Sequence, residues 1–532
     1  MVQLSPMESV VPGFVRYTVV TTSCRLIPIQ RVPILFARSG RCLEPKERKV
    51  ADDKKKTGKA RKPKPRGHLG RRKKRKGMCL EDRPCLEPSA GGIDIGAREI
   101  FVAVPPDRDE HPVRVFQTFT EDLHTMAQWL KACGVTTVAM ESTGVYWIPL
   151  YDVLEAYGVK PCLTNARHMK NVPGRRTDWH ECQWLQYLHS VGLLRAAFRP
   201  EADVCAVRAV VRHRSDLVQM AVQHVQHMQK ALTQMNLQIQ HVISDITGTT
   251  GLAIVDAILA GERDPAVLTR LRDPRIKATA ETIRKSLVGN WQQEHLFVLR
   301  QSRLLYRTYQ QQIVDCDQEI ERLVGTFEPR ADPAQKPLPP DQKRNRNATK
   351  KRKKRGLPET GFDLRTEAYK LFGVDVTQVP GLEMSVLPLF SEIGRDLSRR
   401  WPTAAHFASW SGLCPDNDIS GGRVLWKGTR KVQNRAGQIF RMAAYSLHRS
   451  PSPLGNYLRR MKSKLGPKAA TTATAHKIAV IFYTMVTRQV EYDESIWVAR
   501  DAQRQKRLED KIKRQARQLG YQLVPVQEKP AA

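Results

Sequence analysis

The chain has 532 residues, which at roughly 100–200 residues per domain argues for two to four folded units. Lys and Arg number 88 against 53 Asp and Glu, a formal net charge of +35, so a polyanion is the expected partner, with nucleic acid ahead of an acidic protein. The longest apolar stretches, such as Ile478 to Val486, fall short of the roughly 20 residues of a spanning helix, which excludes a membrane protein. Arg16 divides the one apolar candidate near the N-terminus, so no secretory signal is expected and a cytoplasmic location follows. The ten cysteines form no C-x-x-C pair and no zinc or disulfide spacing, and are read as reduced thiols.

The charge is concentrated. Between Lys46 and Lys76 stand 17 basic and three acidic residues, and between Lys343 and Arg355 nine basic and none acidic, so two tracts carry +23 of the +35. Like charges repel along such runs. They are expected to be a disordered extension (1–90) and a linker (331–370) that bind phosphates without defined geometry.

Between them the texture changes. Gly92 to Gly96 and Ile100 to Val104 read as a hairpin and Val113 to Phe119 as a third strand. Glu121 to Cys133 reads as an amphipathic helix, Thr136 to Met140 as a buried strand, Tyr146 to Tyr157 as a helix, Val159 to Leu163 as a strand and Asp178 to Val191 as a helix. Three strands before the first helix, then αβαβα, is the ribonuclease H-like arrangement, assigned to residues 91–199. Residues 200–330 are expected to be a helical coiled-coil insertion. Val218, Ala221, Val225, Met228, Leu232, Met235, Ile239, Val242 and Ile246 alternate steps of three and four, and a second seam runs from Tyr306 to Leu323. The seams could pair within one chain or between chains; the first is expected to join protomers. A mainly helical domain follows at 371–492, and 493–532 is a basic tail with a helix near Gln503 to Arg517. The fold class is therefore α/β plus α.

Four carboxylates stand out. Asp94 falls on the first strand, Glu141 ends the fourth, and Asp178 and Glu181, three apart, share one face of the last helix of the first domain. Taken singly, Asp94 is as well explained as a turn residue and Asp178 as a helix N-cap. Glu141, closing an apolar strand before Ser-Thr-Gly, has no packing reason to be there. In a ribonuclease H-like fold the last helix crosses the first and fourth strands, so the four acids would converge. Such a cluster needs cations: two Mg²⁺ roughly 3.5–4 Å apart, with Mn²⁺ as a substitute, would support phosphoryl transfer. Gly-Ile-Asp-Ile-Gly also opens the actin-like kinases, but no later Asp-x-Gly-rich phosphate loop completes that pattern.

In the last domain, Val379-Pro380-Gly381-Leu382 resembles half of a helix-hairpin-helix unit, whose amides at Gly381 would hold a phosphate. Further on, Ser420 lies in Asp418-Ile419-Ser420-Gly421-Gly422-Arg423, followed by Lys427, Arg430, Lys431 and Arg435. Ser-Gly-Gly is ordinarily a turn. Beside metal ions and a scissile phosphate, however, the hydroxyl can attack and form a phosphoserine. Arg423, Lys427, Arg430 and Arg435 would neutralise the phosphate.

These motifs, with Glu141-Ser-Thr-Gly-Val-Tyr-Trp, Arg-Thr-Asp178-Trp-His-Glu181 and Gln-Met-Asn236-Leu-Gln, resemble the DEDD-type insertion-sequence transposases, bridge-RNA-guided recombinases related to the Piv-type invertases. The resemblance implies a RuvC-like domain holding Mg²⁺ on Asp94, Glu141, Asp178 and Glu181, a coiled-coil insertion, and a transposase domain whose Ser420 attacks DNA. It also implies double-stranded DNA at the element ends and target, a structured guide RNA, a homotetramer, and a place at the bacterial nucleoid. Glu181 stands where the resemblance puts Asp. The rival readings are a hydrolytic RuvC-like junction nuclease and an inactive nucleic-acid-binding remnant.

Overall fold

The computed structural model describes residues 83–142, 144–165, 177–340, 361–430 and 434–521. Both basic tracts, residues 1–43 and Lys431 lie outside the described residues.

Five strands, β1 (Ala90–Ile95), β2 (Glu99–Ala103), β3 (Val113–Gln117), β4 (Thr137–Glu141) and β5 (Lys160–Thr164), form one sheet in the order β3-β2-β1-β4-β5. The pairs β1/β2 and β2/β3 are antiparallel, whereas β1/β4 and β4/β5 are parallel. Helices α1 (Thr120–Ala132), α2 (Trp147–Ala156) and α3 (Asp178–Ser190) complete the expected order, with bounds within two residues of those read from the sequence. Alternation along the strands sorts the side chains onto two faces. Ile93, Val102, Val138, Met140 and Leu163 pack with Met126, Leu130, Leu150 and Leu154 of α1 and α2. Ala139 and Cys162 face Leu185 and Leu188 of α3, and Ala103 and Val113 face Cys182. This mixed, two-sided sheet fits an α/β ribonuclease H-like fold.

Beyond it, α4 (Ala202–Gln234) is followed by four short helices, α5 (Ile239–Val242), α6 (Thr249–Leu259), α7 (Pro265–Arg270) and α8 (Ala280–Ser286), and then by α9 (Gln293–Val324). The two long helices pack antiparallel within the chain. Met228 and Leu232 meet Leu296 and Leu299 at one end, Leu217, Val218 and Ala221 meet Ile313 and Cys316 midway, and Val204, Val207 and Val211 meet Ile320 and Val324 at the other. Arg214 grips the buried Asp317 through two nitrogens, at 2.6 and 3.2 Å. The seam therefore finds its partner inside the chain, and it is not continuous to Ile246. The helix stops at Gln234, and Asn236 takes a left-handed φ of 56°, a conformation whose cost is lowest for Asn among residues with a Cβ. Ile239 and Ile246 then turn into a local core with Ile254 and Ile283. Leu232 is 0% exposed in that core. Leu232→Glu should accordingly lower stability by about 3 kcal/mol or more, read as a fall in thermal midpoint, instead of releasing protomers in sedimentation.

The C-terminal part comprises α10 (Leu364–Phe372), α11 (Val386–Ile393), α12 (Leu397–Arg400) and α13 (Ala404–Trp410), a hairpin of β6 (Asp418–Ser420) and β7 (Arg423–Trp426), and α14 (Arg435–Ser446), α15 (Pro453–Leu465), α16 (Pro467–Arg488) and α17 (Ser495–Gln518). Phe372, Phe390, Phe407, Phe440 and Phe482 build its core, which also takes in Val204, Val207 and Val211 of α4. Arg208 donates to the Ser391 carbonyl at 2.8 Å, and Arg212 binds both carboxylate oxygens of Glu392 at 2.9 Å. The base of the long hairpin is thus continuous with this core. Among the described residues no helix is long and apolar enough to cross a membrane.

Candidate active site

The sheet puts Asp94 and Glu141 level. Ile93 of β1 pairs with Met140 of β4, and each acid is the next residue on its strand. Parity then fixes the face: Asp94 follows Gly92 by two and Glu141 follows Ala139 by two, so both project from the α3 side of the sheet.

Helix α3 reaches that side through Gly92. A Cβ there would lie 2.2 Å from both the Cys182 carbonyl oxygen and the Gln186 amide nitrogen, so only glycine lets the helix backbone lie directly on β1. Gln186 adds a bond from its side-chain amide to the Ala90 carbonyl at 3.2 Å. With Gln186 near the start of β1, α3 runs antiparallel to it, and its first turn arrives at the end that carries Asp94. Cys182 records the result. Burial pushes its thiol up to about 12, and the charges of Asp94 and Asp178 both push in the same direction. The N-cap of α3 is Thr177, whose hydroxyl accepts from the His180 amide at 3.4 Å. Asp178 is thereby released from the capping role that its position suggested. It is exposed, whereas Asp94, Glu141 and Glu181 are partly buried.

The ends of β1 and β4 and the first turn of α3 thus hold Asp94, Glu141, Asp178 and Glu181 toward the same end of the sheet. Among the described residues no set of three or more His, Cys, Asp or Glu side chains is arranged to hold a metal ion as it stands. The donor set is nevertheless all oxygen, the chemistry that hard divalent cations select. Gly92 escaped notice in the sequence, although a Gly-Gly pair inside a strand was the available signal of a close backbone approach. Gly92→Ala should displace α3 and cut any metal-dependent strand cleavage by about a hundredfold, while circular dichroism shows the helices retained.

Ser420 ends β6. It pairs with Arg423 across a two-residue turn in which Gly421 and Gly422 have φ of 55° and 75°, the positive values that a type I′ hairpin turn requires. Space around both glycines is open. The hairpin base is tied by a bridge between Pro415 and Thr429 and by the Asp416 amide bonded to the Gly428 carbonyl at 2.8 Å, while its tip stands free. Ile419 is 63% and Leu425 70% exposed, and the hairpin has no extensive packing against the sheet domain. Ser420 is not seated among the carboxylates of its own chain's sheet by any such packing. Arg423, Lys427, Arg430 and Arg435 are all exposed around the hairpin and the start of α14. Arg430 also donates to the Ser409 hydroxyl. Gly381 stands apart from this group. Its φ is 91°, and a Cβ would lie 2.5 Å from the Ala443 carbonyl, so it allows the Val379–Leu382 turn to press onto α14.

No curated protein matches the chain. Residues 91–237 match a transposase family model of the DEDD IS110 type, and residues 376–459 match the model of the transposase IS116/IS110/IS902 family. The first match holds the four acids and runs to the end of α4; the second holds Gly381 and Ser420. With both halves of the candidate chemistry inside matches of the same kind, the chain belongs to the IS110-type DEDD transposases.

Proposed function

We propose that this transposase cuts and rejoins DNA through a covalent phosphoserine, on a metal site made by Asp94, Glu141, Asp178 and Glu181. The observation that supports the reading is a pairing of two features: Asp94 and Glu141 level on β1 and β4 with α3 beginning at the same end of the sheet, and a serine at an exposed, cation-flanked hairpin tip. Bound Mg²⁺, or Mn²⁺ in its place, would supply charge neutralisation and polarisation of the reacting phosphate. The protein's own part is positional. Ser420 Oγ attacks phosphorus, the Oγ–P bond forms, the P–O bond to one strand breaks, and that strand leaves as a hydroxyl after taking a proton. Ser420 gives up its own proton to solvent or a carboxylate. Because the serine ester keeps the phosphodiester bond energy, a second strand's hydroxyl can displace serine by the reverse step without ATP. Arg423, Lys427, Arg430 and Arg435 lie where the phosphate charge would collect.

The same reading takes a structured guide RNA as the source of target choice and a homotetramer as the working form, both on the family resemblance. The basic tracts and exposed cations supply the phosphate contacts that such polyanions need. The exposed isolation of the Ser420 hairpin favours one second reading, hydrolysis by water at the carboxylate edge with the C-terminal part only binding. One experiment separates them. Denaturing electrophoresis of protein incubated with labelled element-end DNA should show a covalent adduct in wild type and none in Ser420→Ala. Cleavage by Ser420→Ala at the wild-type site would establish hydrolysis instead.

A further inference from the structure

Two partly exposed aromatic residues stand at the helix starts nearest the acids of β1 and β4. Tyr146 caps α2 five residues after Glu141 and is 53% exposed; Trp179 follows Asp178 on α3 and is 44% exposed. Helix α2 lies on one face of the sheet and α3 on the other, and both begin at the end where β1 and β4 carry their acids. The helix starts that carry these two residues therefore lie on opposite faces of the sheet, at the end where β1 and β4 carry their acids. Val145, 67% exposed, extends the apolar lip. Among the described residues neither ring packs against another aromatic ring, in contrast to the paired Trp147 and Tyr151 one turn further along α2. Large rings left in water beside acidic groups are poor as a solvated surface, yet their faces suit a flat apolar partner.

We propose that Tyr146 and Trp179 stack on unpaired nucleobases either side of the phosphate held at the carboxylate edge, so that the site takes a locally melted DNA strand. The proposal rests on the phosphoryl-transfer reading and deepens it by naming the state of the substrate. The physical reason is access: bases inside a duplex offer no free face, whereas a splayed strand offers one on each side of every phosphate, and aromatic side chains hold it without regard to sequence.

The test uses the full-length protein with Ca²⁺ replacing Mg²⁺ and an oligonucleotide carrying 2-aminopurine, single-stranded or fully paired. Stacking quenches the probe. Wild type should quench it in the single strand and much less in the duplex. Tyr146→Ala and Trp179→Ala should each lose most of that quench and roughly tenfold in single-strand affinity, with duplex affinity unchanged. Tyr146→Phe and Trp179→Phe should keep both. Phe297→Ala, which removes an exposed ring from the remote α9, should change nothing. Quenching that survives in both alanine variants overturns the proposal, as does equal loss in Phe297→Ala or equal loss of duplex binding. Alanine variants that keep the quench but lose self-association would assign the rings to a second copy of the chain. Asp94→Asn retains both rings and should quench as wild type; if it quenches and also cleaves, the catalytic assignment fails while the stacking assignment stands.

Discussion

Asp94→Asn and Glu141→Gln should each abolish strand cleavage, by about a thousandfold or more, while leaving DNA affinity within about twofold. The two residues are level on adjacent strands and point to the same side, so each substitution replaces an anionic oxygen ligand by a neutral amide of nearly the same shape. Both positions are partly exposed, and the buried neighbours Ile93 and Met140 belong to the opposite face. Affinity is set elsewhere, by Lys and Arg near phosphates, and removing a negative charge from a surface that meets phosphate can only hold binding steady or tighten it. Cleavage assays in Mg²⁺ and in Mn²⁺, paired with fluorescence anisotropy, check both halves. Full cleavage by either variant would remove the carboxylates from the mechanism; a parallel loss of binding would show that they support the fold instead.

Much of the catalytic sheet could be read from residue order because its signals are local. Short β-prone runs and an acid ending an apolar strand are each written within about ten residues, and the family matches agree with the reading drawn from them. What escaped was long-range. The reason for Gly92 lies in α3, ninety residues away, and the release of Asp178 from capping turns on Thr177 sitting one position earlier in the turn. The heptad seam was correct as a pattern up to Gln234 and uninformative about its partner, since a three-four spacing states only that one helical face is apolar. Arg214 and Asp317, buried and paired at 2.6 Å, fix the register of α4 on α9, but they are separated by a hundred residues and look like any other charges in sequence. The two short strands around Ser420 escaped as well, because Ser-Gly-Gly among cations reads as a flexible loop, whereas Asp418–Ser420 and Arg423–Trp426 pair across that turn.

Mixing two inactive chains, Asp94→Asn and Ser420→Ala, should restore about a quarter of the wild-type covalent adduct if random assembly lets one chain's serine meet another's carboxylates. Each shared site then needs intact acids from one chain and an intact serine from the other, and each requirement is met half the time. If every chain builds its own site, every site in the mixture carries one lesion and the yield is zero. The α4 seam packs against α9 of the same chain. The β6-β7 hairpin has a base anchored through Pro415, Asp416, Gly428 and Thr429 and a tip that exposes Ile419 and Leu425, and among the described residues no extensive packing joins it to the sheet domain of the same chain. A hairpin with a fixed base and an apolar, serine-bearing tip is suited to insertion into a neighbour. Leu425→Asp, which adds a charge at a position already exposed and so leaves the fold intact, should therefore reduce the adduct in wild type and in the mixture alike. Proven mixing by tagged-chain capture with no recovery of adduct would instead place Ser420 beside its own chain's acids, reached by a movement of the hairpin.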